Sequence, residues 1–430
     1  MLVFVGDGSD LACAGIWADS ATYHTRDSLF LVLFNVISGI HHLRYWLCAF
    51  SKRTMCRCGC KGICTWNDIW RTVSWMFGVS QAGRYPEFRD DGVKFADSTR
   101  VGDKQRAKWA KNGRTTKVRT GCMQVRGDWA FHKQVNKLCG WRGEGKFKRC
   151  CFKCLANMTN FSFTEIGLDA AWRMTILSHI MFMQMCGAER SRVFTIPGVR
   201  VEHMTGDLMH TADLGTIQYL LGCIIWEVLF VDMQGTESSP DDVMSQFLTF
   251  IRMASKKLGM TAPPINRLTL GMIKKPGSPP KLKTKAAEGR RLLPCVLWVL
   301  ENIIKVVTDH QRLRYNCAKQ MQLMYESLMT QPFNGAECAK HGRKHLILWA
   351  ELGRQSLASC SFHNRGWLLY RWYPKHHLLL HCLEDQVAVA GNPRECWCYY
   401  DESTIGEAVL LAESLHASSL HKSIMAKRRC

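Results

Sequence analysis

Two metal-ligand motifs stand more than two hundred residues apart in this chain, and their separation limits its possible folds more than any other feature. One is the C-x2-C pair of Cys151 and Cys154, and the other is the H-x4-H pair of His376 and His381. Two thiolates and two imidazoles are a common tetrahedral zinc set. One zinc ion bound by all four side chains would require the chain to return to its C-x2-C turn after a long insertion.

The spacing leaves other interpretations open. His377 and His381 form an H-x3-H pair, which offers two imidazoles at a second usable spacing. Without a metal, the histidines would cap a helix and the cysteines would fill a core, where free cysteine behaves as a small apolar residue. The motif spacing alone is compatible with each of these arrangements.

A second cysteine cluster lies earlier in the chain. Four cysteines occur within nine residues, at positions Cys56, Cys58, Cys60 and Cys64. Their spacing matches no standard zinc finger, so a zinc-knuckle-like loop and a group of reduced thiols are both compatible with it. With 21 cysteines in 430 residues, the chain is too long to be a small secreted disulfide scaffold. This usage favours a reducing compartment, cytosol or nucleus, and zinc rather than disulfides.

The first third of the chain has the pattern of a small sheet. Residues 11–18, 29–37 and 43–50 are apolar runs joined by short turns, which predicts an antiparallel meander. A helix is predicted at 66–77 and a fourth strand at 122–125. Three strands, a helix and another strand are the opening of an RNase H-like fold. The predicted fold class is therefore α/β (α+β): an RNase H-like mixed sheet with a large, mainly helical insertion before its last helix.

Helical patterns set the predicted domain boundaries. Patterns at 214–232, 243–258, 294–329 and 344–357 predict an insertion over 214–371, interrupted by a basic, proline-rich loop or disordered linker at 274–291. Residues 1–213 then form the first part of the core with its basic and cysteine-rich segments. Residues 372–430 complete it with the zinc-ligand segment and a final helix at 403–416. Because 214–231 contains Gln218 and Glu227, it is interpreted as a buried helix rather than a membrane span.

Three acidic residues occupy positions suited to metal-assisted phosphoryl transfer. Asp19 follows the first predicted strand, Asp128 follows the fourth, and Glu402 precedes the last helix. Two-metal catalysis needs carboxylates that converge on two Mg²⁺ ions about 3.5–4 Å apart. An acid at such a position is also commonly a turn residue or a helix cap. Asp207 and His210 form a D-x2-H pair, which is either a helix cap or a further carboxylate–imidazole pair beside the metal site.

The net charge of +21 is unevenly distributed. Residues 51–155 contain 24 Lys and Arg against 8 Asp and Glu, a net of +16. Within them lies an acid-free basic stretch: Lys104, Arg106, Lys108, Lys111, Arg114, Lys117 and Arg119. Such a stretch is either a solvated basic face or a surface that neutralises nucleic-acid phosphates, and the concentration of charge favours nucleic acid.

Six longer stretches contain these motifs in a fixed order along the chain. They read ADSATYHTRDSLFLVLFNVISG, CRCGCKGICT, GDWAFHKQVNKLCGWRGEGKFKRCCFKC, GDLMHTADLG, PKHHLLLHCLED and NPRECWCYYDES. In these stretches the chain resembles the DDE/D transposases of the CACTA and Kyakuja-Dileera-Zisupton kind. It resembles more closely the transposase-like proteins that are abundant in dinoflagellate genomes. The resemblance extends over nearly the whole chain, and the order of the motifs is more specific than any one of them.

The resemblance implies a DNA transposase core with a catalytic triad of Asp19, Asp128 and Glu402. These acids would hold Mg²⁺ (or Mn²⁺) while water attacks a phosphodiester at the element end and the freed 3′-hydroxyl then attacks target DNA. The V(D)J recombinase and its Transib relatives look similar in one respect, because they join a C-x2-C after the second acid to an H-x4-H before the glutamate. That likeness favours His376 and His381 as Zn²⁺ ligands. The transposase resemblance as a whole implies DNA as the partner, a nuclear location and a homodimer in the active state, and no membrane partner is expected.

Some positions depart from the family pattern. Asp19 is followed by Ser20 where glycine is more usual, and Asp27 is a nearby competitor for its role. Eighteen residues precede Asp19, so a separate N-terminal DNA-binding domain is not expected. The alternative is a truncated, decayed or domesticated relative, a non-catalytic zinc-containing protein that binds DNA while its carboxylates stay idle. A third hypothesis is a zinc-stabilised scaffold whose charge serves solubility.

Overall fold

The structure is a computed structural model, and it describes residues 3–4, 10–37, 43–116, 118–140, 148–233, 239–275, 277–358, 368–415 and 420–427. The chain divides into two compact units. Unit 1 comprises Met1–Gly140, Ile176–Asp207 and Glu395–Cys430, and unit 2 comprises Trp141–Thr175 and Leu208–Arg394. Each unit is therefore built from segments that are distant in sequence.

Unit 1 contains a five-stranded sheet, and helices occur in both units. The strands are β1 (Val3–Phe4), β2 (Asp10–His24), β3 (Asp27–Val36), β4 (Tyr45–Ser51) and β5 (Val118–Arg126). The helices are α1 (Ile63–Ala82), α2 (Asp103–Lys111), α3 (Trp129–Gln134), α4 (His179–Cys186), α5 (Ile217–Glu227), α6 (Pro240–Lys257), α7 (Leu270–Ile273), α8 (Ala286–Val299), α9 (Asp309–Met329), α10 (Gly335–Ala358), α11 (Pro374–Leu383), α12 (Asp385–Ala390), α13 (Tyr399–Glu413) and α14 (Leu420–Lys427).

The sheet combines antiparallel and parallel pairing. β2 pairs antiparallel with β3, which in turn pairs antiparallel with β4. On its other side β2 pairs parallel with β5, and Trp17 lies opposite Arg126 in that pair. Parallel strands cannot be joined by a hairpin, so β5 must be reached by a crossover, and the segment containing α1 and α2 provides it. Because β2 and β5 run in the same direction, their carboxyl ends lie at the same edge of the sheet.

Aromatic residues hold α1 against the sheet. Trp66, Trp70, Val73 and Phe77 are its buried residues, at the spacing of one helical face. The ring of Trp66 meets that of Phe30 in β3 edge-on, with centroids 5.6 Å apart. Each such side chain contributes about 1.5–3 kcal/mol when it is fully buried. The helix predicted at 66–77 is confirmed and is longer at both ends.

A buried helix forms the centre of unit 2. Helix α5 continues at both ends as wider π-helical turns, Met209–Thr216 and Val228–Asp232. By length and composition alone, the whole stretch Met209–Asp232 could cross a membrane, but most of its apolar window is buried inside the fold. A core helix of a globular domain has the same properties, so this helix is weak evidence for a membrane span.

Of the two interpretations of 274–291, a loop or a disordered linker, the structure favours an ordered loop, because its residues 281 and 282 pack against α5. Gly222 makes this possible, because a Cβ there would lie 2.8 Å from backbone atoms of Lys281 and Leu282. The Leu282 N–H donates to the Gln218 carbonyl at 2.8 Å, and the Leu282 side chain is fully buried. The irregular part ends where α8 begins at Ala286, and residue 276 lies outside the described residues.

The predicted mixed α/β class is confirmed: a mixed sheet accompanied by many helices. The compact units divide the chain differently from the predicted domains, because residues 141–175 and 372–394 belong to unit 2. The helix predicted at 294–329 is two helices, α8 and α9, since Lys305 between them has a left-handed backbone (φ 54°). The predicted final helix is α13, four residues earlier than expected at its start, and His416 lies outside the described residues.

Candidate metal centre

Four side chains of unit 2 converge in what we call the cysteine–histidine cluster: Cys151, Cys154, His377 and His381. All four ligand atoms lie within 4.8 Å of one another, and all four residues are buried. Cys154 Sγ lies 3.2 Å from His377 Nε2 and 3.4 Å from His381 Nε2, and the two Nε2 atoms are 3.1 Å apart. Zinc bonds of about 2.0–2.3 Å at tetrahedral angles place ligand atoms roughly 3.3–3.8 Å apart. The cluster could therefore hold a metal ion such as zinc.

Local backbone structure positions each ligand. The cysteines lie in a tight turn in which the Lys153 N–H donates to Cys151 Sγ at 3.3 Å and the Ala156 N–H donates to Cys154 Sγ at 3.4 Å. Such hydrogen bonds favour sulfur in its charged form. The two histidines lie one turn apart on α11, where residues four apart share a helical face.

Asp385 is the hydrogen-bond partner of one histidine of the cluster, His381. Its carboxylate accepts a hydrogen bond from His381 Nδ1, which leaves Nε2 directed at the cysteines. A metal-bound histidine usually donates its other ring N–H to a carboxylate in this way, which fixes its tautomer and ring orientation. Trp172 packs its ring edge-on against both imidazoles, at 4.5 Å from His377 and 4.9 Å from His381 between centroids. The spacing His381-x3-Asp385 is a readable signal for this partner, although Asp385 was not among the predicted site residues.

The electrostatics of the cluster favour one thiolate and one imidazolium when no metal is bound. Burial alone would raise the pKa of Cys151, but the hydrogen bond from Cys154 and the charges of His381 and His377 bring it well below its ordinary value. Burial likewise opposes charge on His381, yet Cys151 and Asp385 raise its pKa to about 9. The pKa of Cys154 is raised by burial and by the neighbouring Cys151 sulfur. Metal binding requires deprotonated ligands, and part of this set is already in that form.

The structure replaces one predicted ligand, His376, by its neighbour His377. Positions five apart on an α-helix lie on different faces, so His376 and His381 cannot point to one ion. His376 instead stacks on Trp349, with ring centroids 4.7 Å apart and planes at 28°. Burial, together with nearby His345, lowers the His376 pKa to about 3, so it is a neutral core residue. The H-x3-H alternative is the one that the geometry supports.

The second cysteine cluster, Cys56, Cys58, Cys60 and Cys64, forms what we call the four-cysteine loop. Its four sulfurs also lie within 4.8 Å of one another, so it too could hold a metal ion such as zinc. It differs in burial, because Cys58 and Cys64 are exposed and the other two are half-buried. The four-cysteine loop lies in unit 1, where it follows β4 and ends with Cys64 in the first turn of α1.

The predicted aspartates Asp19 and Asp128 follow matching positions of adjoining strands. Trp17 of β2 lies opposite Arg126 of β5, and two residues further along each chain are Asp19 and Asp128. The backbones stay close there, because a Cβ on Gly127 would lie 3.2 Å from the Ala18 carbonyl oxygen. Asp19 lies inside β2 rather than at its end, since the strand continues to its turn with β3.

Each of these aspartates also has a local hydrogen bond. Asp128 caps α3, accepting from the Phe131 N–H at 2.5 Å, so the structure shows the helix-cap role that the sequence left open. Asp19 Oδ1 accepts from the Ser20 N–H at 2.6 Å. Asp27, the competitor for the role of Asp19, is buried and accepts hydrogen bonds from Tyr23 and Ser51. That network makes Asp27 a structural residue of the β2–β3 turn.

Helix α13 brings a fully buried acid onto the same sheet. Asp401 accepts hydrogen bonds from Arg44 and from Arg126, the latter at 3.2 Å, and all three side chains are nearly inaccessible. Glu402 follows it in the chain and is half-buried. Removing one partner of a buried ion pair commonly costs about 3–5 kcal/mol, because it leaves an uncompensated charge. Asp401 was not predicted as a site residue, since a single acid at the start of a helix gives no signal of a counter-ion role.

Cys398, the residue before α13, lies near two of the predicted acids, Asp207 and Glu402. Its N–H donates to Asp207 Oδ1 at 3.0 Å. Burial, followed by the charges of Asp207 and Asp401, raises the pKa of the Cys398 thiol well above its ordinary value, and Glu402 acts in the same direction. Asp207 and Glu402 are thus both near Cys398 in unit 1. The predicted partner of Asp207, His210, belongs to unit 2, where its carbonyl accepts from Lys375.

No ligand cluster of three or more His, Cys, Asp or Glu residues is found among the three predicted catalytic acids in the part of the chain that is described. Asp19, Asp128 and Glu402 are all half-buried rather than enclosed. Their ligand oxygens are therefore not all within 4.8 Å of one another. A two-metal site does not require this, because two ions about 3.5–4 Å apart can bind carboxylates that lie further from each other.

The predicted basic stretch is largely a solvent-facing surface. Lys104, Arg106, Lys108 and Lys111 are exposed on α2. Arg114 lies over the Trp109 ring, 4.8 Å from its centroid. Arg119 lies on β5 and is half-buried, and Lys117 lies outside the described residues. Arg106 donates to Asp103 at 3.0 Å, so the cations that α2 presents to an anionic partner are Lys104, Lys108 and Lys111.

No protein-family model matches the chain, and no curated protein sequence matches it.

Proposed function

We propose that the protein is the catalytic core of a DNA transposase of the DDE/D type, acting through Asp19, Asp128 and Glu402. The observation that carries this proposal is the parallel register of β2 and β5. Because Trp17 lies opposite Arg126, the two aspartates occupy matching positions just beyond that pair. Two acids from adjoining parallel strands, with a third on a helix that packs against the sheet, suit metal-dependent phosphoryl transfer.

The strand order supports an RNase H-like core in unit 1. The meander β2–β3–β4 is followed by a helical crossover to β5, parallel with β2. Val125 of β5 also forms an isolated parallel bridge with Met204. This bridge would extend the sheet beyond β5 by the start of a further strand. Helix α13 then packs against β2 and β3. Unit 2, with its helices, is inserted into the chain before this last element.

The three acids fit Mg²⁺ (or Mn²⁺), because all of them offer carboxylate oxygens, the ligands that hard cations prefer. When bound, the ion would supply Lewis-acid stabilisation of the charge that develops on the phosphate. The protein holds the three carboxylates in position. The strand register fixes Asp19 and Asp128, and the buried network of Arg44, Arg126 and Asp401 fixes the end of α13 that carries Glu402.

DNA is the proposed substrate. The exposed cations of α2 would neutralise backbone phosphates without reading sequence, since phosphate contacts position a duplex but carry no base information. A nuclear location and a homodimer that joins two element ends belong to the same proposal. No membrane partner is proposed.

Zinc in the cysteine–histidine cluster completes the proposal. Its ligands are Cys151, Cys154, His377 and His381, and its role would be to fix unit 2 by joining a turn to α11. Because the site has four protein ligands and is buried, it suits a structural rather than a catalytic ion. Zinc is thus assigned to stability and the carboxylates to chemistry.

The test is metal-dependent nicking of a labelled DNA duplex by the full chain. Asp128→Asn removes the charge but keeps a good helix cap, so α3 should stay intact. Glu402→Gln has a matched control in Glu407→Gln, an exposed acid on the same helix. Cleavage that needs Mg²⁺ or Mn²⁺, is lost in both site variants and persists in the control supports the triad. Cleavage that survives both site variants contradicts it.

A non-catalytic DNA-binding protein is the second candidate. It is favoured by the capping bond of Asp128, which already gives that carboxylate a structural role. The same experiment separates the two functions. Salt-sensitive duplex binding without cleavage, equal in the parent chain and all three variants, supports the second candidate and contradicts the first.

A further inference from the structure

The four-cysteine loop brings its sulfurs together over a very short stretch of chain. Cys56 Sγ lies 3.1 Å from Cys58 Sγ, and Cys58 Sγ lies 3.7 Å from Cys64 Sγ. These separations exceed the roughly 2.05 Å of a disulfide bond. Four Zn–S bonds of about 2.3 Å at tetrahedral angles give a sulfur–sulfur distance of about 3.8 Å. The distance between Cys58 and Cys64 matches it, and the distance between Cys56 and Cys58 is shorter. The loop therefore has the geometry of a ligand set for one ion.

The backbone of the loop directs the sulfurs inward. Gly59, Lys61 and Gly62 all have left-handed backbones, with φ of 89°, 53° and 84°. For a side chain other than glycine this conformation costs roughly 1–2 kcal/mol, so Lys61 is held there by its surroundings. Gly62 adopts its φ of 84° without strain because it has no Cβ.

The first turn of α1 supports the charge that metal binding requires. The Cys64 N–H donates to Cys60 Sγ at 3.4 Å, and a hydrogen bond from a backbone amide favours sulfur in its charged form. A divalent cation would bind all four sulfurs as thiolates.

We infer that Cys56, Cys58, Cys60 and Cys64 form a tetrathiolate zinc centre in unit 1, independent of the cysteine–histidine cluster in unit 2. An all-sulfur tetrahedral set selects zinc or iron over hard cations. The net charge of four thiolates and one Zn²⁺ is −2, and Lys52, Arg57 and Lys61 around the loop offset it. The centre does not depend on whether the protein cleaves DNA.

Zinc would fix one wall of a cavity of about 520 Å³ in the same unit. Met55, Cys56, Arg57, Lys61 and Gly62 of the loop region line it on one side. Lys52, Trp66 of α1, and residues of β2, β3 and the end of α3 line the remainder. The metal therefore links the loop conformation to the shape of a basic cavity.

The test counts metal in the full chain, purified under reducing conditions after expression with zinc. Elemental analysis compares the parent chain with C58S/C60S, His377→Ala and the control Cys186→Ser, a cysteine of unit 1 outside both clusters. The expected counts are two zinc ions for the parent and the control, and one for each cluster variant. The inference would be overturned if the parent chain and C58S/C60S each bound one zinc ion, or if the bound metal were iron.

X-ray absorption identifies which ion remains and keeps the test decisive if one variant folds poorly. In His377→Ala the remaining zinc should have only sulfur ligands, at about 2.3 Å. In C58S/C60S it should have mixed nitrogen and sulfur ligands, with nitrogen at about 2.0–2.1 Å. A mixed nitrogen and sulfur shell in His377→Ala would overturn the tetrathiolate assignment.

Discussion

The cysteine–histidine cluster and the four-cysteine loop have the same number of ligands but are assembled in opposite ways. The first is buried in unit 2 and joins residues that are distant in sequence, such as Cys154 and His381, 227 positions apart. The second is exposed or half-buried in unit 1 and draws all its ligands from one short loop. The long-range cluster exists only when unit 2 is folded, whereas the local one needs little more than its own turn and the start of α1.

The chain entropy lost on closing each loop gives the size of this difference between the two sites. Closing the span between Cys154 and His381 costs roughly 3 kcal/mol more than closing the span between Cys56 and Cys64. The helices of unit 2 supply that free energy by packing, so metal binding and the folding of unit 2 are linked. The four-cysteine loop meets a smaller closure cost and should bind metal without a large change in global stability. We therefore expect the two sites to differ in stability, metal release, affinity and thiol chemistry.

The largest difference is expected in global stability. Cys154→Ser should lower the free energy of unfolding of unit 2 by about 4 kcal/mol or more, since a ligand at a thousand times its Kd contributes that much. Cys58→Ser should change the free energy of unfolding of unit 1 by less than about 1 kcal/mol, because a loop this short can also bind zinc in the unfolded chain, which reduces the stabilisation. Urea unfolding combined with hydrogen exchange of α11 for unit 2 and of α1 for unit 1 measures the two losses, with Cys186→Ser as control. Equal losses in the two variants would remove the contrast.

The second difference is expected in the rate of metal loss. A chelator reaches the exposed sulfurs of the four-cysteine loop directly, whereas the cysteine–histidine cluster must first open. An opening free energy of about 3 kcal/mol slows release by roughly a hundredfold. Zinc transfer to a coloured chelator should therefore show two phases of equal amplitude. In C58S/C60S the fast phase should disappear, and loss of the slow phase instead would reverse the assignment.

A smaller effect is expected from the carboxylate behind His381. Asp385→Asn removes the charged acceptor of the His381 Nδ1–H while keeping a hydrogen-bonding oxygen. Loss of such a partner typically weakens metal affinity by about 10–100-fold. Competition titration should show this shift for one of the two zinc ions. The control is Glu395→Gln, an acid in unit 1, which should leave both affinities unchanged; a shift of both ions by Asp385→Asn would contradict the prediction.

The smallest effect is expected in thiol chemistry after metal removal. The Cys60 pKa of about 6 means that this thiol is mostly ionised at pH 7 and about half ionised at pH 6. Its alkylation by iodoacetamide should therefore slow by about twofold between those pH values, in addition to any change at the other cysteines. The thiolate of Cys151 also has a lowered pKa but is buried, so it should stay unlabelled while unit 2 is folded. Peptide mapping measures both, and fast labelling of Cys151 would show that burial does not protect it.

Sequence patterns predicted the local elements better than the residues that meet across the fold. The meander, α1 and the two cysteine clusters depend on spacing within a few residues, and they were readable. The choice between His376 and His377 depended on which face of α11 meets the cysteine turn, and the resemblance to H-x4-H favoured the wrong residue. The packing of 281–282 on Gly222 and the pairing of Asp401 with Arg126 are long-range contacts, which no local pattern encodes.

The buried pair of Arg126 and Asp401 has a consequence for the order of events on the ribosome. The two residues are separated by 275 positions, with unit 2 synthesised between them. At about 5–20 residues per second, Asp401 is synthesised roughly 15–55 s after Arg126. During that time the early strands have to keep Arg126 hydrated, because burying it unpaired would be costly. The nascent sheet should therefore stay open until Asp401 emerges, and a nascent chain released before Asp401 should depend on chaperones.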